Sequence, residues 1–246
     1  MDPAVPEYFF ALNLATQAAV LLTLSVGLWI GMQRAVLSRT EKLETLVLIA
    51  GAVLVWFAGA WWLGQLRFFV APTAFLPPIA FAILLPILAG ISLLMWSNRF
   101  RALVTAVPQS WLTGVQVYRA LGAMFLALWA QDRLPGEFAL PAGIGDVIVG
   151  VTAPIVAWLN ASRSPSARSA TLIWNGFGIA DLIVAVGTGF LTSPSPYQAF
   201  AFDRPNMVIA EQPFVLVPTF FVPLSIILHA ASLWKLRAGE GSLRVA

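Results

Sequence analysis

Apolar residues in this chain run in blocks of about 20, separated by short clusters of proline, glycine and charged side chains. Seven blocks stand out, at approximately Phe9–Met32, Leu43–Leu66, Phe75–Trp96, Trp111–Ala130, Phe138–Leu159, Ala170–Leu191 and Phe214–Leu236. Each is close to the ~20 residues that a helix needs to cross ~30 Å of hydrocarbon. None alternates with period two, which excludes barrel strands and leaves helices as the spanning element. The pattern predicts an all-α fold, a polytopic membrane helix bundle of seven transmembrane helices in one domain over residues 1–246. Pro77 and Pro78 open the third span, where missing N–H groups cost least. Pro86 is expected to kink that span, and Pro218 and Pro223 to bend the seventh. Asn98 to Ser110, with Arg99 and Arg101 beside Phe100, Leu103 and Val107, reads as a short helix lying along the membrane surface.

Composition agrees: 59% of residues are hydrophobic, 10% are charged, and the mean hydropathy is +0.85. Without cysteine the chain offers no disulfide framework and no thiolate site. A net charge of +3 does not point to nucleic acid, because the basic residues sit singly at the ends of apolar runs. One set of loops holds ten of them: Arg34, Arg39, Lys42, Arg99, Arg101, Arg163, Arg168, Lys235, Arg237 and Arg244. The opposite set holds three, Arg67, Arg133 and Arg204, so the N-terminus is expected outside and the C-terminus in the cytoplasm. The start, MDPAVPEYFF, carries Asp2 and Glu7 and no basic residue, the reverse of a secretory signal, so the first run is read as a span. Most tryptophans (Trp29, Trp61, Trp62, Trp96, Trp111, Trp129, Trp158, Trp174 and Trp234) fall near span ends, as an interfacial belt would, while Trp56 is deeper and reads as packing. The segment from Thr192 to Pro213 is long for this chain and reads as a lid or a tether.

Four ionisable residues lie within spans: Arg119, Asp146, Asp181 and His229. Charged groups there are costly and usually face a cavity or a partner. The aspartates share a nine-residue context, GIGDVIVGV over 143–151 and GIADLIVAV over 178–186. At ~1.5 Å per residue, Asp146, Asp181 and Arg119 lie ~12, ~15 and ~18 Å below the outer face, in one layer. His229 lies ~9 Å from the inner face, below that layer. Gly143, Gly150 and Ala153 around Asp146, and Gly178, Ala185 and Gly189 around Asp181, allow close helix contact. Two antiparallel spans with equal motifs are then expected to meet about a local two-fold. Two adjoining carboxylates cannot both ionise cheaply, so Arg119 is expected to hold one charged and to leave the other free to exchange a proton. Asn175 and Gln116 are candidate hydrogen-bonding partners of this site. His229 shares a stripe with Ser225 and Ser232 and reads as an interhelical bond, as do Asn13 and Gln17 on the first span. The competing structural reading is an Arg119–Asp ion pair that only fixes helix register.

One histidine and few carboxylates leave no metal or haem ligand set. Lys42 and Lys235 are the two lysines and neither is mid-span, which argues against a retinal Schiff base. No phosphate-binding glycine loop is present, and no cofactor is expected. The stretches VPQSWLTGVQVYRALGAMFLALWA, LPAGIGDVIVGVTAP, WNGFGIADLIVAV and PLSIILHAASLWKLR resemble a widespread family of uncharacterised bacterial integral membrane proteins. That resemblance implies a multi-pass protein of the bacterial inner membrane and brings no activity. Gly143-Ile144-Gly145-Asp146 also resembles the GxGD signature of intramembrane aspartyl proteases, which would make Asp146 and Asp181 a catalytic dyad. The order of the two aspartates is reversed relative to the presenilin-like members, and their Pro-Ala-Leu segment is missing near the C-terminus. Pro108-Gln109 is similar to the dipeptide of PQ-loop transporters, here in one copy. The leading expectation is a site at Asp146, Asp181 and Arg119 that binds or transports a small solute or ion, with proton coupling. The alternatives are an aspartyl protease and a non-catalytic sensor or assembly subunit. The partners expected are the lipid bilayer and a small solute or proton, with oligomeric state open.

Overall fold

The computed structural model describes residues 7–243, and all the regular structure among them is helical. Helix α1 (Glu7–Arg34), α2 (Arg39–Gln65) and α3 (Pro78–Trp96) are followed by the short α4 (Asn98–Ala106). The fourth span is composite: α5 (Gln109–Gly114), a 3-10 segment (Val115–Gly122) and α6 (Ala123–Ala130). Helices α7 (Gly136–Ala161) and α8 (Ala167–Thr192) come next. A short 3-10 turn (Val208–Ala210) and a π-helical turn (Val217–Phe221) then lead into α9 (Val222–Leu243). Seven segments are long and apolar enough to cross a membrane, and the protein is a multi-pass helical bundle. The expected spans are all present, and the short helix expected over Asn98–Ser110 is found at Asn98–Ala106. Asp2 and Arg244 lie outside the described residues.

Contacts between loops show which of them share an end of the bundle. Arg204 pairs with Asp132 at 2.7 Å, Arg67 with Glu211 at 2.5 Å, and the Tyr197 hydroxyl donates to the Phe75 carbonyl at 2.7 Å. These join 66–77, 131–135 and 193–213 into one end, here called the capped end. At the other, basic end, Arg99 pairs with Glu44 at 2.6 Å, Lys235 donates to the Thr105 carbonyl at 2.7 Å, and Arg168 to the Leu236 carbonyl at 3.1 Å. The loops are therefore grouped as their charges predicted. The 193–213 segment is folded down as a cap, with Asn206 N–H bonded to Thr192 O at 2.9 Å and Gln212 Nε2 donating to Trp61 O at 3.1 Å.

Helix α7 is central, packed along the 3-10 segment on one side and α8 on the other. Helix α2 is peripheral and turns Leu48, Val55 and Trp62 outward, where apolar side chains meet lipid in a protein of this kind. Pro86 sits inside α3 without interrupting it. Ends without glycine are closed in a common way. After α2, α6 and α7, residues Arg67, Asp132 and Arg163 adopt φ of 54, 56 and 53°, and the next N–H bonds back to Leu63, Leu128 and Leu159.

The seventh span shows how proline shapes the bundle. Pro223 has no N–H to give the carbonyl four residues before it, Thr219. Trp56 Nε1 donates to that carbonyl at 2.9 Å, and its ring lies 4.5 Å from Phe220 across the π-helical turn. Trp56 is thus more than the packing residue expected, since it satisfies a backbone group that hydrocarbon would leave orphaned. Trp56→Phe should cost about 1–2 kcal/mol of unfolding free energy. Trp62→Phe, on the exposed face, should leave stability within about 0.5 kcal/mol. Denaturation of both variants beside wild type in one detergent checks the difference.

Candidate functional site

Arg119 stands in the 3-10 segment and is 3% exposed. Eight residues is long for a 3-10 stretch, a form that seldom exceeds three or four and that often marks a hinge or strain. Gly150 of α7 lets the two backbones meet here, since a Cβ on it would lie 2.7 Å from Ala120 Cα. The guanidinium is nearly saturated. Its Nε donates to Asp146 Oδ1 at 2.7 Å and its Nη2 to Asp181 Oδ2, while Nη1 reaches Gly178 O at 3.3 Å and His229 Nε2 at 3.0 Å. Four of its five N–H groups are engaged, in the forked geometry that lysine lacks.

The histidine's tautomer follows from its neighbours. Arginine only donates, so His229 Nε2 must carry the lone pair and Nδ1 the proton. Nδ1 then donates to Asn175 Oδ1 at 2.8 Å, which fixes the Asn175 amide so that its Nδ2 donates to Ser232 Oγ at 2.9 Å and Thr171 O at 2.7 Å. Gln109 Nε2 closes the chain on Ser232 Oγ at 2.6 Å. One continuous set of hydrogen bonds thus runs from Asp146 to Gln109 near the basic end, with a neutral imidazole in it. Neither the guanidinium nor the Asn175 amide passes protons on, so the set positions charges and does not conduct them.

Each aspartate has a different setting despite the shared motif. Gly145 lies against Asp181, and a Cβ there would collide with its carboxylate. The Asp181 side chain is 5% exposed and lines neither of the two cavities described next. The Asp146 side chain is 15% exposed and borders two. The larger, about 100 Å³, lies under the cap between α3, α7, α8 and the seventh span. The smaller, about 50 Å³, lies between α1, the 3-10 segment and the seventh span, beside Asn13, Tyr118 and Ser225. The expected two-fold about the motif pair is not how the residues are used, because Gly178 clears His229 while its counterpart Gly143 meets Leu126.

Other expectations need correction. His229 is not below the layer: it touches Arg119, because residue counting places Cα atoms while a long side chain spans the gap. Gln116 is fully buried but does not join the site, since neither of its amide atoms finds a partner among the described residues. Asn13 and Gln17 bond each other within α1 at 2.5 Å and do not bridge helices. Trp174 leaves the interfacial belt: it is 6% exposed, donates to Thr152 Oγ1 at 3.1 Å and stacks 5.0 Å from His229. Arg119 contacts both aspartates. Ser232 and Gln109, noted in the sequence for other reasons, extend the chain of hydrogen bonds, while the sequence did not single out Asn206 in the cap, whose buried Nδ2 has no acceptor among the described residues.

The histidine and asparagine should act as one unit. His229→Leu and Asn175→Leu each leave a buried polar atom unpaired, so each should cost about 2–3 kcal/mol. The double variant should fall short of the sum by at least ~1 kcal/mol. Unfolding free energies for the four proteins check this.

The family described as Domain of unknown function (DUF8737) matches residues 76–237, from the third span through the seventh, and so covers every residue of the Arg119 cluster. No curated protein and no solved structure matched the chain. With more than half of its length matched, the chain belongs to this family, Domain of unknown function (DUF8737).

Proposed function

We propose that the protein binds a small cationic solute at Asp146, Asp181 and Arg119, and carries it across the membrane in exchange for a proton. The observation that supports this is a charge imbalance at a cavity wall. One guanidinium serves two carboxylates, and His229 is neutral by its hydrogen bonds. With both acids ionised the cluster lacks one positive charge, and an uncompensated charge in hydrocarbon costs several kcal/mol. A proton or a cation supplies it. Asp146 is where either arrives, because Asp181 borders neither cavity. Neither the guanidinium nor the amide relays a proton toward the basic end, so exchange takes place on the cavity side.

The excess of Lys and Arg at the basic end supports a cytoplasmic location for it, with the capped end facing outward from a bacterial inner membrane. Solute then enters under the 193–213 cap. Proteolysis has less support: an aspartyl dyad shares a proton and activates water between its carboxylates, and here a guanidinium joins them.

Purified protein in lipid nanodiscs, in weak buffer near neutral pH, should release protons on addition of Na⁺, K⁺, guanidinium or methylammonium salts. Release should vanish in Asp146→Asn and persist in Trp62→Phe. Release that is equal in wild type and Asp146→Asn, both folded, would overturn the reading.

A further inference from the structure

The larger cavity has a composition that no inorganic ion needs. Its walls include Phe69, Ile83, Phe125, Phe138, Leu182 and Phe190, and among the residues that line it Asp146 is the one charged side chain. Asp146 turns one oxygen to Arg119, while no donor among the described residues reaches the other. Asn206 also lines this cavity, from the cap. It is 1% exposed, its Oδ1 accepts from Ile209 N–H at 3.4 Å, and its Nδ2 has no acceptor among the described residues. A buried donor left unpaired costs about 1–3 kcal/mol, so it marks a place where a partner oxygen is to come.

We infer that the solute is a small amphipathic amine: an ammonium group on Asp146, an apolar body against the phenylalanine rings, and an ether, hydroxyl or carbonyl oxygen facing Asn206 Nδ2. This rests on the cation-binding reading above and gives it a substrate class. Aromatic walls favour a cation over an anion, since the ring faces carry negative potential. Size is bounded as well. An apolar cavity of ~150 Å³ takes benzene, so about 100 Å³ suits an apolar body of about four non-hydrogen atoms. Anions are disfavoured from the start, because the one cation nearby, Arg119, already serves two carboxylates.

The test compares 3-methoxypropylamine with pentylamine, which replaces the ether oxygen by a methylene, and with pentanoate, which reverses the charge. Calorimetric titration into protein-loaded nanodiscs, corrected for empty discs, should show 3-methoxypropylamine binding about tenfold more tightly than pentylamine. Pentanoate should not bind. Asn206→Leu should remove that preference, so that the two amines bind alike. Asp146→Asn should abolish binding of both amines. Pentanoate binding as well as pentylamine would overturn the amine class, as would amines binding equally to wild type and folded Asp146→Asn. A preference that survives in folded Asn206→Leu would overturn the oxygen contact. If Na⁺ or K⁺ releases protons through Asp146 while neither amine binds, the amine class falls and the cation site stands. If neither inorganic cations nor amines act through Asp146, both fall.

Discussion

The bundle is organised by one guanidinium set among two carboxylates at a depth where water is scarce. Removing a partner from such a group costs far more than the pair gains over an apolar replacement. That asymmetry explains why so much of the surrounding structure serves Arg119. The 3-10 segment presents it, Gly150 brings α7 onto the backbone beside it, and Gly145 and Gly178 clear room for Asp181 and His229. His229 and Asn175 orient the remaining donors, and Trp174 covers the imidazole. A lysine could not replace the forked contacts, because a single ammonium would have to choose among acceptors on three helices.

Most of the architecture was legible because hydrocarbon imposes a coarse rule: long apolar runs, polar breaks, and charges sorted by end. The details that escaped depend on backbone contacts between segments distant in sequence. The run Trp111–Ala130 reads as one helix, and nothing in its own pattern marks the change to 3-10 winding at Val115. That winding accompanies the approach of α7 at Gly150, a tertiary effect. The helix ends at Arg67, Asp132 and Arg163 carry no glycine signal, yet all three residues take the left-handed conformation. Thr219 gave no sign that it needed Trp56 until Pro223 was placed four residues after it.

The site was legible to the same degree and for the same reason. Asp146, Asp181 and Arg119 contrast with apolar surroundings and share a depth. His229 and Trp174 required the third dimension, since a count along each helix cannot see a side chain crossing to its neighbour. Gln116 lies one turn from Arg119, yet its amide finds no partner among the described residues. Asn206 lies in a polar, proline-rich stretch, where one more amide has no contrast against its neighbours. The paired motif also promised more symmetry than the structure uses. Asp181 is closed in against Gly145, whereas Asp146 lines the cavity. Equal sequences have been put to unequal work by what packs on each side.

The 3-10 segment also has a mechanical consequence. Eight residues rising ~2.0 Å each span ~4 Å more than the same residues wound at ~1.5 Å. The fourth span is therefore longer along its axis than an unbroken α-helix of the same residues would be. Rewinding changes the turn per residue from ~120° to ~100°, so it would swing Arg119 around the axis as well as draw it along. The winding of this one segment thereby fixes both how far along the axis and in which direction Arg119 stands to reach the two carboxylates.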